Sequence, residues 1–236
     1  MIGGRVVPLE NSVKSLTPIQ DEETRTIMIT STEARLGRNM AVVAAVGLIV
    51  SILIPVVLIG IDGGNEYNPT WGPLINVVNF VQDIATVFIV VLFMKLFVAE
   101  DKPVFRVMSM IMIVVSTMWA IRDLAPTAAA QSVWGTPIPA TEVGQIMNLF
   151  TFGSFVLLSI WWWTAIDADG GELLPRYAVI AGRLAAGLFI LLHVLSFFGQ
   201  SLGLNPNIAI PFWLGGGLIL WPLSIFGASR AFAKKI

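Results

Sequence analysis

Residues 74–96 read LINVVNFVQDIATVFIVVLFMKL. The stretch is apolar except for Asn76, Asn79, Gln82, Asp83, Thr86 and, near its end, Lys95. A bilayer core of about 30 Å calls for roughly twenty predominantly apolar residues in a helix, and this run meets that length. Working outward from it, five more such stretches lie at roughly 40–61, 104–124, 143–166, 177–198 and 208–229. A membrane barrel would show strands of about ten residues with alternating polarity, and no such alternation is present. The expected fold is all-α: a polytopic membrane protein built as a bundle of six transmembrane helices.

Cations set the expected orientation. The N-terminal arm holds Arg5, Lys14, Arg25, Arg35 and Arg38, and the second connection with its flanks holds Lys95, Lys102 and Arg106. The fourth connection holds Arg176 and Arg183, and the tail holds Arg230, Lys234 and Lys235. Of the 14 Lys and Arg residues only Arg122 lies on the other side. Basic residues resist translocation, so the rich side is expected to be cytoplasmic, with both termini inside and the plasma membrane as home.

Composition agrees. Hydrophobic residues make up 56% and charged residues 12%, against about a quarter charged in an ordinary soluble domain. The polar residues ahead of Met40 and the length of the first apolar run point to an uncleaved insertion signal rather than a leader peptide. With no cysteine in the chain, disulfides, iron–sulfur clusters and thiol chemistry are excluded. No nucleic-acid partner is expected; the lipid bilayer is the first partner, and other membrane subunits or further copies of the chain come next.

Residues 1–30 are expected to form a cytoplasmic arm and residues 31–236 the six-helix transmembrane domain. Thr30 and Glu33 have capping-box spacing, which predicts a helix start between them. Pro55 is expected to kink the first span. The segments 62–73 and 125–141 read as outer connections, and Asp167–Glu172, with its Gly-Gly pair, as an inner one. Trp161-Trp162-Trp163 sits at the depth of an interfacial aromatic belt. The last span contains Pro211, Gly215-Gly216-Gly217 and Pro222. Its glycines either let a neighbouring helix pack closely or mark a broken helix that lines a cavity.

Polar residues within the spans are the candidate site. A carboxylate at mid-membrane costs at least about 2.5 kcal/mol to insert, which makes Asp83 the foremost. At ~100° per residue, Asn76, Asn79, Asp83 and Thr86 share an arc of about 80°, with Gln82 outside it. Ser109, Ser116 and Asp123 lie within about 40° on the third span, and Gln145, Asn148 and Ser159 within about 60° on the fourth. These stripes serve either as interhelical hydrogen bonds or as the lining of a polar cavity. Arg183, offset axially by about 7 Å, is the natural partner for Asp83, unless it snorkels to the headgroups. Arg122 and Asp123 are adjacent, so each is expected to find its partner elsewhere. His193 is the only histidine. It excludes a haem held by two histidines and any multi-histidine metal site, but not a single axial bond to a haem or chlorophyll. Its more ordinary role is a hydrogen bond to a neighbouring helix or to Ser196. No cofactor or metal is otherwise expected.

Two stretches carry a family likeness. Glu33-Ala34-Arg35-Leu36-Gly37-Arg38 before the first span, and Leu174-Pro175-Arg176 followed by Ile180-Ala181-Gly182 in the fifth, resemble an uncharacterised bacterial family of six-span proteins. That resemblance implies the topology and no residue role.

No Ser-His-Asp, HExxH, Walker or dinucleotide motif is present, so no catalytic residue is assigned and a non-enzymatic protein is expected. Short connections and the small residues Ala41/Ala45, Gly182/Ala186 and Gly215–Gly217 suit an accessory or structural subunit of a membrane complex, or a binder of a small apolar or amphipathic ligand. The alternative is a substrate-binding component of a transporter, with Asp83, Asn79, Asn76, Gln145, Asn148 and Arg183 along the ligand path. A lesser alternative is a pigment- or haem-binding subunit that uses His193.

Overall fold

The computed structural model describes residues 29–62, 72–130, 140–199, 203 and 209–236. Side chains are described throughout these except at 55–62, 125–130, 140–152, 196–197, 199, 209–210 and 213. The described residues are helical with short turns between, and contain no strand. The helices are α1 (Ser31–Asp62), α2 (Gly72–Leu96), α3 (Pro103–Ala130), α4 (Ala140–Asp169), α5 (Arg176–Gly199), α6 (Ala209–Phe212) and α7 (Trp221–Ala233). A π-helix, Trp213–Leu220, joins α6 to α7 into one rod. The described residues of each of the six apolar stretches thus fall in helix. Among the described residues five helices are long and apolar enough to cross a membrane, at Ser31–Ile54, Gly72–Leu96, Pro103–Leu124, Arg176–Leu195 and Leu214–Ala233.

The helices form a closed ring. Successive helices pack on one another, α5 packs on α7, and α7 closes back onto α1. The outward faces suit lipid, for Val77, Val81, Phe88 and Val91 of α2 and Val107, Val114 and Ile121 of α3 are exposed. Small residues bring the closing helices together. A β-carbon on Gly37 would lie 2.6 Å from the Phe232 ring, and one on Gly227 would strike Ala178 of α5.

Charges tie the elements at one end of the ring. Thr30 N–H donates to Glu33 Oε2 at 2.9 Å and Glu33 N–H to Thr30 Oγ1 at 3.2 Å, so the capping box forms and α1 starts at Ser31. Glu33 also receives Lys95 Nζ at 2.5 Å, which fastens the start of α1 to the end of α2. Lys102 Nζ donates to the carbonyls of Phe97 and Ala168 at 2.7 and 2.6 Å, covering acceptors that the ends of α2 and α4 leave open. The Gly170-Gly171 pair makes the turn after α4 with φ of 62° and 84°, a conformation that glycine adopts without strain. Asp169 Oδ1 then accepts from Leu173 N–H at 2.8 Å and holds the chain for its return as α5.

One boundary differs from expectation: residues 125–130, expected in a connection, continue α3 to Ala130. α1 runs past Pro55 to Asp62, in keeping with the apolar run 40–61. Most of the connections expected at 62–73 and 125–141, and nearly all of the arm 1–30, lie outside the described residues.

The last rod has a physical cause for its irregularity. Pro222 has no N–H to donate, and in α geometry its ring crowds the carbonyl four residues earlier. The preceding turns widen instead, with Trp221 N–H bonded to Gly216 five residues back. Gly216 faces Phe189, where a β-carbon would lie 2.9 Å from the ring, and Gly217 faces the centre of the bundle.

Candidate functional site

At the centre of the ring is a cavity of about 490 Å³. Its floor is aromatic. Phe93 of α2 lies 6.2 and 5.9 Å from the rings of Trp161 and Trp162 and 5.2 Å from Phe232, plugging the bundle on the side where the capping box and ion pairs gather. Above this plug Trp161, Trp162, Phe155, Trp119, Phe189 and Trp221 form much of the wall. Trp162 and Trp221 meet edge to face at 5.8 Å, and Trp119 and Phe155 lie 5.4 Å apart. Such contacts hold large rings in fixed orientations. Hydrogen bonds add to this: Trp161 Nε1 donates to Ser109 Oγ at 3.1 Å, and Trp119 Nε1 to Ser154 Oγ at 2.7 Å.

The polar part of the wall comes from α1, α2 and α3: Ser51, Asn79, Gln82, Asp83, Thr86 and Arg122. Asp83 is 3% exposed and Asp123 2%. The Asp83 carboxyl interacts with that of Asp123 and with the charge of Arg122. Arg122 binds Asp123 Oδ1 through Nε at 2.9 Å and Nη2 at 2.5 Å. Asp83 Oδ2 is buried and receives no N–H or hydroxyl donor, and the Asp83 carboxyl lies within hydrogen-bonding reach of that of Asp123. Among the described groups two carboxyls therefore face one guanidinium, one positive charge fewer than their full ionisation would need. An uncompensated buried charge is costly, so a proton or a cation has to supply the difference.

Several expected partnerships are different in the structure. Arg183 does not serve Asp83: its Nη2 bonds Asp167 Oδ1 at 2.9 Å, with the guanidinium 5.8 Å from the centre of the Trp163 ring, near water at the bundle end. The adjacent Arg122 and Asp123 pair with each other, because the long arginine side chain curls across the 100° between neighbouring positions. Gln82 lines the cavity although it lies outside the arc of Asn79 and Asp83, and it is 3.4 Å from Ser51 Oγ. Trp161 and Trp162, expected in an interfacial belt, are buried to 1% and 2%; only Trp163, at 41%, faces outward. His193 Nδ1 meets the carbonyl of Phe189 in its own helix at 2.6 Å. Asn76 is buried but outside the cavity lining. The side chains of Gln145, Asn148 and Ser196 lie outside those described.

Missing from the expected site were the cavity's tryptophans and Arg122. Trp119 and Trp221 lie within their spans rather than at the ends, where interfacial tryptophans gather, and that position was the available signal. Comparison of the chain with family models, curated proteins and solved structures gave no match.

Proposed function

We propose that this protein is a non-enzymatic, six-span plasma-membrane protein that binds a small amphipathic molecule inside its helical ring, with both termini cytoplasmic. The cavity carries this function. Its volume lies in the range of ligand sites, about 300–1,000 Å³, and its wall joins a broad aromatic surface to a few convergent polar groups, the composition of such sites. A purely structural subunit has no need of that space at its centre.

Transport is the second function the site supports, and the buried Asp83 carboxyl in the cavity wall favours it. A carboxyl held at mid-bundle away from Arg183 can exchange its counter-charge, whereas a fixed ion pair cannot.

Leu158 lines the cavity, and Leu158→Trp places a large side chain in open space. The expected result is an unchanged melting temperature with at least ten-fold loss of bound small molecule, read by native mass spectrometry of gently purified protein. Equal occupancy in the wild type and in a folded Leu158→Trp variant would refute binding in this cavity.

A further inference from the structure

The chemistry of the wall narrows the ligand class. Resting on the amphipathic-ligand cavity just described, we propose that the occupant is a lipophilic organic cation, an amine whose ammonium group meets Asp83 while its apolar body lies among the indole rings. Three independent features converge on this.

Charge is the first. Arg122 is bound to Asp123, Lys95 is paired with Glu33, and Arg183 with Asp167, so of these three cations only Arg122 acts on Asp83. Among the described residues lining the cavity, Arg122 is the only cation and Asp83 the only acid. Asp123 interacts with Asp83 and is itself buried, which adds negative charge close to the Asp83 carboxyl. Asp83 lines the cavity, so an ammonium group there meets its carboxyl with a charge-assisted bond and adds positive charge beside the two acids.

The rings are the second feature. Trp119, Trp161, Trp162 and Trp221 line one cavity, and indole faces attract cations with about 0.5–2 kcal/mol each, more as water is excluded. A carboxylate ligand would gain nothing from those faces and would meet two acids beside one guanidinium. Size is the third: the cavity is far larger than an inorganic cation requires, so most of the occupant is apolar.

The test uses the full chain in lipid nanodiscs at pH 7 with three probes that share one body: 4-phenylbutylamine, 4-phenylbutanol and 4-phenylbutanoate. Quenching of intrinsic tryptophan fluorescence reports binding, and the Leu158→Trp variant supplies the correction for partition into lipid. The amine is expected to bind at least ten-fold more tightly than the alcohol. Asp83→Asn is expected to bring the amine to the level of the alcohol and leave the alcohol unchanged, while Asp83→Glu keeps the preference. Equal binding of amine and alcohol by the wild-type protein would overturn the cation assignment and leave the amphipathic cavity standing. Preference for the carboxylate would overturn it in favour of Arg122 as the head-group partner. If none of the probes binds above the lipid correction, the cavity function falls along with the cation.

Discussion

Gly227→Leu is expected to prevent the ring from closing, with a loss of at least ~3 kcal/mol of stability. The position lies where α7 crosses α5, and a β-carbon there would run into the Ala178 β-carbon and come within 3.4 Å of its Cα. Overpacking of a well-packed site costs about 1–3 kcal/mol when neighbours can yield. Here the neighbour is the Ala178 β-carbon, which is fixed rigidly to its backbone, so relief requires the two helices to separate. Gly215→Ala is the matched control, since nothing lies within 4 Å of the added carbon, and its stability is expected to stay within about 0.5 kcal/mol of the wild type. Thermal melts of both variants in the same nanodiscs, followed by tryptophan fluorescence, compare them. Similar melting temperatures for the two would show that the α5–α7 contact is looser than described.

Arg122→Leu is the second large effect. It deletes the cation that Asp123 holds by two bonds and leaves two buried carboxyls facing each other. Breaking a buried pair by removing one partner costs about 3–5 kcal/mol, because the remaining charge is stranded. Asp83→Asn is expected to behave in the opposite way. It removes the surplus negative charge while keeping the shape, so the melting temperature should hold or rise. Adding Asp83→Asn to Arg122→Leu should recover part of the lost stability, since one carboxyl fewer then remains. If Arg122→Leu melts with the wild type, the charge count at the centre of the bundle is wrong.

The contrast between what could and could not be foreseen has a physical basis. Helix existence was legible, because a twenty-residue apolar run has one stable form in a bilayer. The Thr30–Glu33 cap was legible as well, because it is a local interaction set by three-residue spacing. Burial of Ser109, Ser116 and Asp123 followed from their common face, since polar groups avoid acyl chains. Inward and outward apolar faces were not legible. In a membrane both are greasy, so no polarity contrast separated buried Trp161 and Trp162 from exposed Trp163. Ion pairing was missed for a different reason. Axial offset along helices placed Arg183 within reach of Asp83, but the end of α4 placed Asp167 closer to it, where both side chains are exposed. The Arg122–Asp123 pair was missed because face angles describe where a side chain starts and not how far a guanidinium can bend.

Occupancy of the central cavity is what the account depends on, and photolabelling tests it most directly. A phenylalkyl amine carrying a diazirine is added to the nanodisc-held protein, irradiated, and the modified residues are mapped by peptide mass spectrometry. Adducts are expected on Trp161, Trp162, Phe155 and Trp221, and they should disappear when unlabelled 4-phenylbutylamine is added in excess. Labelling confined to the outward residues Val77, Val81, Phe88 and Val91, and insensitive to that competitor, would contradict a ligand inside the ring.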